Sequence, residues 1–509
     1  MLILFLFFCL LLINTNFVMS FNFFNGLCNS LNLNYYFSSI SNICLIMLLC
    51  CGIIALYFSL HYYNWEFNSL NSLIIFFLSI MCYLVLTNNF YNSLIAWEYL
   101  GVVSFILILY YSNYDTARAA NITLVSSRFG DVGLFILLSF FFYFFNNSPF
   151  YFFSILLIII TKSAIIPFSS WLLEAMRAPT PVSCLVHSST LVAAGIWFTL
   201  NYNYLINSYI SGLLIYFCLI TILFSSLSAL FLLDVKKLVA LSTCNNVSWC
   251  FLYYFLGNEY LCLIQLLSHG VAKCMLFCSV GDLLSCSNSN QFNSGLYNYH
   301  SGNLLNSFLC SLLTLFISGL PFLGVFFSKH LLITHFYNVN SFLLILLVFL
   351  CILFTYVYSF RLFMFVSFLF SGQNSGLNLS YNFASVILVC SCLFNYTYIN
   401  SSEEFNPTDY NFSYLILLLQ VLGSLLGIFC YRYNFNKLVF YFLGQDLLVL
   451  INNKLFNFVS HFFFIFSSFR FERFINNISF NINLFNFNFN SVLLLIIMSI
   501  FSLISLCIF

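Results

Sequence analysis

Runs of about twenty apolar residues follow one another along almost the whole chain, and no other feature limits its fold as much. A helix needs about 20 such residues to cross the hydrocarbon core of a bilayer. Spans of this kind lie at 1–20, 40–61, 69–88, 91–112, 122–146, 151–168, 181–200, 205–233, 237–256, 260–281, 304–319, 322–337, 341–370, 382–398, 411–431 and 491–509. The pairs 151–168 with 181–200 and 304–319 with 322–337 each read as one interrupted helix. The expectation is an all-α membrane protein with about 14–16 transmembrane helices, since backbone groups in lipid must bond to one another and a helix achieves this within one segment. A soluble chain carries about 25% charged residues. This one carries 5%, against 62% hydrophobic, so lipid must serve as its solvent.

The same scarcity of charge removes other classes. A net charge of +1 leaves no basic face, so membrane lipids are expected partners and nucleic acid is not. Most of the 20 cysteines lie inside apolar runs, as Cys50, Cys51, Cys274, Cys278 and Cys310 do, and no C-x-x-C occurs. They read as small buried hydrophobes and not as a metal or disulfide framework. Residues 1–20 lack a basic n-region and a clear cleavage site, so they read as the first membrane helix. The stretch 433–490 differs. Arg432, Lys437, Asp446, Lys454, Arg470, Glu472 and Arg473 stand there, or at its edge, among Phe, Leu and Asn. Such a mixture suggests a lateral amphipathic segment lying along the membrane or a partner. The expected organisation is a transmembrane domain over 1–432, the lateral segment over 433–490 and a closing helix over 491–509. The abundance of Phe (70) and Tyr (33) hints at an AT-rich, organellar coding sequence.

With so few charges, each can be weighed. Most stand at span ends or in loops, such as Lys236, Lys237, Glu259, Glu403 and Glu404. Glu98, Lys162, Lys273 and Lys329 stand inside apolar spans. A charge at mid-bilayer costs roughly 2.5–3.5 kcal/mol on insertion scales, so such residues usually face a bundle interior or a water path. The six prolines sharpen the pattern. Pro167, Pro179 and Pro181 follow Lys162, and Pro321 precedes Lys329 by eight residues. Proline interrupts the helical ladder. Interrupted helices in membranes line cavities and mark ion sites.

In LCLIQLLSHGVAKCMLF (261–277), Gln265, His269 and Lys273 recur at i, i+4 and i+8, forming one polar stripe on an apolar helix. Such a stripe can hold a water wire or make a polar helix contact. Buried lysine can lose its proton, and histidine titrates near neutrality. His187 lies just after the proline-rich break among Ser183, Ser188, Ser189 and Thr190, where it suits a proton relay. Arg128 and Asp131, three apart in SSRFGD, can pair on a helix face.

These segments resemble the antiporter-like membrane subunits of respiratory complex I, the NADH:ubiquinone oxidoreductase. NNFYNSLIAWEYLGVVSF (88–105) is similar to their glutamate helix, and TKSAIIPFSSWLLEAMRAPTPVSCLVHSSTLVAAG (161–195) to their most distinctive stretch. SRFGD, DVKKLVALST (234–243), SHGVAK, GLPFLGVFFSKH (319–330) and TYVYSFR (355–361) resemble further family motifs in the expected order. HSST followed by V-x-A-G resembles the chain 5 branch more than the chain 4 or chain 2 branches. The resemblance covers roughly 60–365. It implies that Glu98 and Lys162 form a gating pair, that His187 connects, that Lys273 with His269 is central, that Lys329 lies towards the exit and that Asp131 lies near the intake side. It also marks departures: Gln265 stands where members often carry His, His330 stands where they usually carry an acid, and the N-terminal and lateral regions look short.

The function implied is a proton-translocating subunit that couples electron transfer in partner subunits to proton movement through Glu98, Lys162, His187, Lys273 and Lys329. The chain shows no G-x-G-x-x-G, no P-loop and no set of metal ligands, so no cofactor is expected on it. NADH, flavin, iron–sulfur clusters and ubiquinone are expected on partners. Those partners are other membrane and peripheral subunits of complex I, above all neighbouring antiporter-like ones. The resemblance implies a multi-pass protein of the mitochondrial inner membrane, with a bacterial plasma membrane as the other setting. One rival is the large subunit of a multisubunit Na⁺/H⁺ antiporter, which shares the HS(S/A)T motif and normally runs longer. Another is a scaffold that has lost pumping, which has no need of the four buried charges.

Overall fold

A computed structural model describes residues 17–21, 33–63, 68–87, 89–141, 149–286, 304–320, 323–326, 328–329, 332, 342–367, 410–432 and 454–461. The expected spans at 382–398 and 491–509, most of the lateral segment, Pro321 and His330 lie outside them. Chain contacts separate two units, Met1–Gln445 and Asp446–Phe509. In the second unit, residues 454–461 form one exposed helical stretch.

The first unit opens with a hairpin of β1 (Phe17–Phe21) and β2 (Leu33–Phe37), antiparallel with Phe17 opposite Phe37. The end of the expected first helix is therefore a strand. Asn14, Thr15, Asn16 and Ser20 are residues that compete with helical bonding, and Phe and Val suit an extended chain. Helices follow: α1 (Ser39–Tyr62), α2 (Asn68–Leu86), α3 (Phe90–Ile108), α4 (Tyr114–Phe141), α5 (Pro149–Lys162), the short α6 (Ser170–Glu174) and α7 (Thr180–Leu185), then α8 (Leu191–Asn201), α9 (Ser208–Phe231), α10 (Val235–Phe255), α11 (Glu259–Cys286), α12 (Leu304–Ser318), α13 (Phe342–Ser367) and α14 (Tyr410–Arg432). Local chemistry sets their ends. At α1, the Ser38 hydroxyl accepts the Ser41 N–H at 3.1 Å, and the Ser41 hydroxyl accepts the Ser38 N–H at 2.7 Å. This reciprocal box satisfies two donors that a helix start leaves open.

Nine helices among the described residues are long and apolar enough to cross a membrane. Sequence neighbours pack side by side from α1 to α5 and from α9 to α14; short connections dictate this from α1 to α5 and from α9 to α11. Close approach depends on small residues: a Cβ at Gly133 of α4 would lie 2.8 Å from the Ser154 carbonyl oxygen of α5. Outward faces carry large apolar side chains such as Ile75, Phe76, Phe135, Phe153, Leu346 and Leu425. The inside is largely apolar but holds many buried polar side chains. Helix α11 packs against α1, α7, α10 and α12, and its membrane-crossing stretch is 94% buried. Helix α10 carries Lys236, Ser242, Thr243, Asn245, Asn246 and Ser248, all buried. A helix of that composition survives in a bilayer only when other helices wrap it.

Candidate functional site

The first interruption is built around Lys162, the last residue of α5. The chain leaves the helix through Ala164, whose φ of 55° lies in the left-handed region that non-glycine residues rarely adopt. Pro167 then bars any continuation, since its ring would clash with the carbonyl four residues back. The carbonyls that the helix end leaves open find other donors. The Trp171 indole donates to the Thr161 carbonyl at 2.9 Å, and the Cys244 thiol of α10 donates to the Ala164 carbonyl at 3.2 Å. Pro179 and Pro181 serve as a start signal. Pro179 is the cap of α7, and Pro181 stands in its first turn, where a missing N–H costs nothing.

Lys162 is 1% exposed. Its Nζ lies 3.5 Å from the Trp97 carbonyl oxygen and 5.2 Å from the centre of the Trp97 ring. It makes no ion pair within 4.0 Å among the described residues. The structure gives Glu98 a different partner from the one the sequence suggests: Arg128 Nη1 donates to Glu98 Oε2 at 2.9 Å and to Asp131 Oδ2 at 3.1 Å. The Arg128–Asp131 pairing follows the sequence expectation. One guanidinium thus holds two carboxylates, and Lys162 lies within electrostatic reach of both. Glu98 is poised beside the lysine without being bonded to it.

The bond pattern widens to a π-turn at Val186–Thr190, just where His187 sits. Side chains occupy carbonyls around this turn: Thr190 donates to the Leu185 carbonyl at 2.9 Å, and Ser188 to that of Cys184. Single π-turns inside helices concentrate at functional sites. His187 is fully buried, and neither ring nitrogen has a hydrogen-bond partner of good geometry among the described residues. A small cleft of about 10 Å³ is lined by Lys162, His187, Ser127 and Thr161 on its polar side and by Ile108, Trp171 and Leu191 on its apolar side. That is room for about one water.

The second and third lysines are held in the same manner as the first, by oxygens that carry no full charge. Lys273 of α11 donates to the Val239 carbonyl of α10 at 3.2 Å and to the Ser242 hydroxyl. Lys329 donates to the Ser318 carbonyl at 2.7 Å and to Thr355 at 3.4 Å, with its Nζ 5.2 Å from the Tyr356 ring centre. Ser318 ends α12, so Lys329 sits at the negative end of a helix dipole. Gly319, with φ at +78°, makes the turn there. Its carbonyl accepts from Tyr356 at 3.2 Å and from Gln420 of α14 at 3.5 Å. The stripe on α11 reaches this region directly, because the Ser328 hydroxyl donates to Gln265 Oε1 at 2.6 Å. His269 is 1% exposed, and both its nitrogens lack partners among the described residues.

Two buried cations escaped the sequence reading. Lys236, placed there at a span end, is 6% exposed and donates to the Ala178 carbonyl at 3.4 Å. Arg361 is equally enclosed; it donates to the Ala229 carbonyl at 2.6 Å and lies 4.9 Å from the Phe365 ring centre. Its position well inside the span 341–370 was a usable signal. The cysteines are buried or half-buried thiols among the described residues. Cys184 nevertheless brings Cys274 and Cys278 to 3.0 and 3.4 Å, a convergence that sequence spacing does not reveal. No group of His, Cys, Asp or Glu among the described residues is arranged to hold a metal ion.

Comparison with known proteins adds to this geometry. Residues 87–355 match the family described as NADH:quinone oxidoreductase/Mrp antiporter, transmembrane region. Among similar proteins, NADH-ubiquinone oxidoreductase chain 5 of Caenorhabditis elegans is 34% identical over 81% of this chain and 81% of its own length. Its counterpart in Ascaris suum is 31% identical over 87% and 84%. In shape, the chain is similar to a chain of the Mrp complex from a Dietzia species, with a TM-score of 0.73 at 19% identity. That match covers 99% of this chain and 59% of the other. It is also similar to a chain of respiratory complex I from Thermus thermophilus, with a TM-score of 0.65 at 16% identity, covering 83% and 93%.

Proposed function

Since this chain belongs to the NADH:quinone oxidoreductase/Mrp antiporter transmembrane family, and stands within it beside the NADH-ubiquinone oxidoreductase chain 5 proteins, we propose that it is a proton-translocating membrane subunit of a NADH:ubiquinone oxidoreductase, respiratory complex I. It is a multi-pass membrane protein, and the inner mitochondrial membrane is the setting that its animal relatives support. The observation that carries the mechanism is the way the buried lysines are held. Lys162, Lys273 and Lys329 each rest on a carbonyl or hydroxyl oxygen, with no carboxylate of a described residue within 4.0 Å. A lysine salt-bridged in lipid is locked in its charged form. One held only by dipoles can take up or release a proton when a nearby charge moves.

The residues then form a sequence of stations. Arg128 keeps Glu98 and Asp131 beside Lys162. Release of Glu98 towards Lys162 would favour its charged form, and recapture by Arg128 would favour loss of the proton. The small cleft joins Lys162 to His187. His269 and Lys273 take the proton onward, and the Gln265–Ser328 contact leads to Lys329. Moving one charge against 100 mV costs about 2.3 kcal/mol. That energy is assigned to electron transfer in partner subunits, which carry NADH, flavin, iron–sulfur clusters and ubiquinone; this chain is assigned no cofactor. Coupling is electrostatic and runs through the Glu98–Arg128 contact.

The Mrp likeness keeps a Na⁺/H⁺ antiporter subunit as the second reading, yet at 19% identity it speaks for the fold alone. Native electrophoresis of membranes that contain the chain separates the two. Comigration of the chain with an NADH-oxidising band supports the proposal, whereas a band without that activity overturns it.

A further inference from the structure

The walls of the path between Lys273 and Lys329 come from two helices, of which the stripe on α11 is only one. On α10, Ser242, Asn245, Trp249 and Tyr253 recur at intervals of three, four and four residues, so they share one face. Helices α10 and α11 are joined by residues 256–258 and run antiparallel in contact. Lys273 reaching Val239 and Ser242 sets the register between them. The nearness of Cys250 to Cys262 agrees with it. In this register Asn245 falls level with His269, and Trp249 level with Gln265. The Tyr253 hydroxyl lies near Ser328.

The seam contains seven polar atoms without a partner among the described residues: both amide atoms of Asn245, the Trp249 indole nitrogen, the Tyr253 hydroxyl, Gln265 Nε2 and both nitrogens of His269. All five side chains are 0–1% exposed. Buried polar groups are almost always hydrogen-bonded, to protein or to ordered water. So many unpaired atoms on two facing stripes describe a seam made for water.

Resting on the proton-path reading above, we propose that the α10 stripe is the second wall of a water file between Lys273 and Lys329. Asn245 and Trp249 are positioning residues, and Tyr253 is the hydroxyl that connects the file to Ser328. The chemistry differs by residue. An indole has one N–H and no lone pair to offer, so Trp249 fixes a water without relaying a proton. A phenol both accepts and donates. Tyr253 takes a proton at its oxygen from the last water and gives up its own hydroxyl proton to the Ser328 side, so no net charge stays on the ring. The hydroxyl thus supplies the relay function that the amide of Gln265 cannot.

The test uses the whole complex in sealed vesicles, with Tyr253→Phe and Trp249→Phe variants and Lys273→Met in parallel. Protons taken up per electron and the effect of D₂O on uptake are read, after native gels have shown assembly. Tyr253→Phe is expected to slow proton transfer about tenfold, the worth of one lost hydrogen bond, and to enlarge the D₂O effect. Trp249→Phe should do so more weakly. A wild-type ratio and D₂O effect in both, beside a dead Lys273→Met, overturns the role of α10 and leaves the path standing. A normal Lys273→Met overturns the path and this proposal with it. A high-resolution map of the unmutated complex gives a check that does not depend on variant folding. Water density beside Trp249 Nε1 and His269 supports the file, and a dry seam refutes it.

Discussion

Replacing Lys273 with methionine should stop proton transfer while leaving the fold almost untouched, and the structure says why. The ammonium gives one bond to the Val239 carbonyl and one to the Ser242 hydroxyl. Bonds of a charged donor contribute about 1.5–3 kcal/mol each, so the loss is roughly 3–6 kcal/mol. Against this, burying an ammonium costs several kcal/mol, and Met avoids that cost. Neither acceptor is left bare. Val239 lies within the α10 ladder and also accepts from Ser242 at 2.7 Å. The two contributions therefore nearly cancel, and Met fills a similar volume in a fully enclosed site. A lost proton-transfer group, by contrast, slows transfer by about 10²–10⁴-fold. The assay compares complex assembly on native gels with NADH-driven proton uptake per electron. Normal assembly with uptake reduced at least 10²-fold through this subunit is expected. An assembled variant with wild-type uptake would refute the reasoning.

Other substitutions probe the supports of the path. Gly319→Ala forces a side chain into φ of +78° and places its Cβ 3.3 Å from the Phe326 backbone nitrogen. A cost of about 1–2 kcal/mol should appear as a lower melting temperature, with weaker uptake as Lys329 shifts. Arg128→Gln leaves the buried Asp131 and the half-buried Glu98 without their shared cation. Since Arg128 is 39% exposed, the stability loss should stay near 1–3 kcal/mol, but NADH oxidation and proton uptake should uncouple, visible as a lower ratio of protons to electrons. Trp171→Phe removes the 2.9 Å donor to the Thr161 carbonyl, costing about 1–3 kcal/mol, and calorimetry of the purified complex measures it.

The buried lysines were visible in the sequence because lipid makes any charge inside an apolar run conspicuous. The spacing of Gln265, His269 and Lys273 was visible for the same reason. Pairing across helices was hidden. Glu98 and Arg128 are 30 residues apart, and only the packing of α3 on α4 shows that Arg128 reaches both acids. Lys236 and Lys237 look alike in sequence, yet the turn of α10 buries one and leaves the other half-exposed beside Asp234 at 3.5 Å. The face of α10 was the hardest to read. Asn245, Trp249 and Tyr253 stand inside the apolar span 237–256 with no charge to mark them, and only the placement of α11 shows that their polar atoms lack a partner among the described residues. The strand at Phe17–Phe21 was missed because hydropathy alone does not separate an apolar strand from a helix.

The central claim is that electron transfer elsewhere in a complex drives protons through this chain. Its most direct test is proton uptake by sealed vesicles that hold the purified native complex, energised first with NADH and a quinone and then with a Na⁺ gradient. The account predicts uptake with NADH that an uncoupler collapses, and no uptake driven by Na⁺. Uptake driven by Na⁺ with NADH inert would contradict it and make the chain an antiporter subunit.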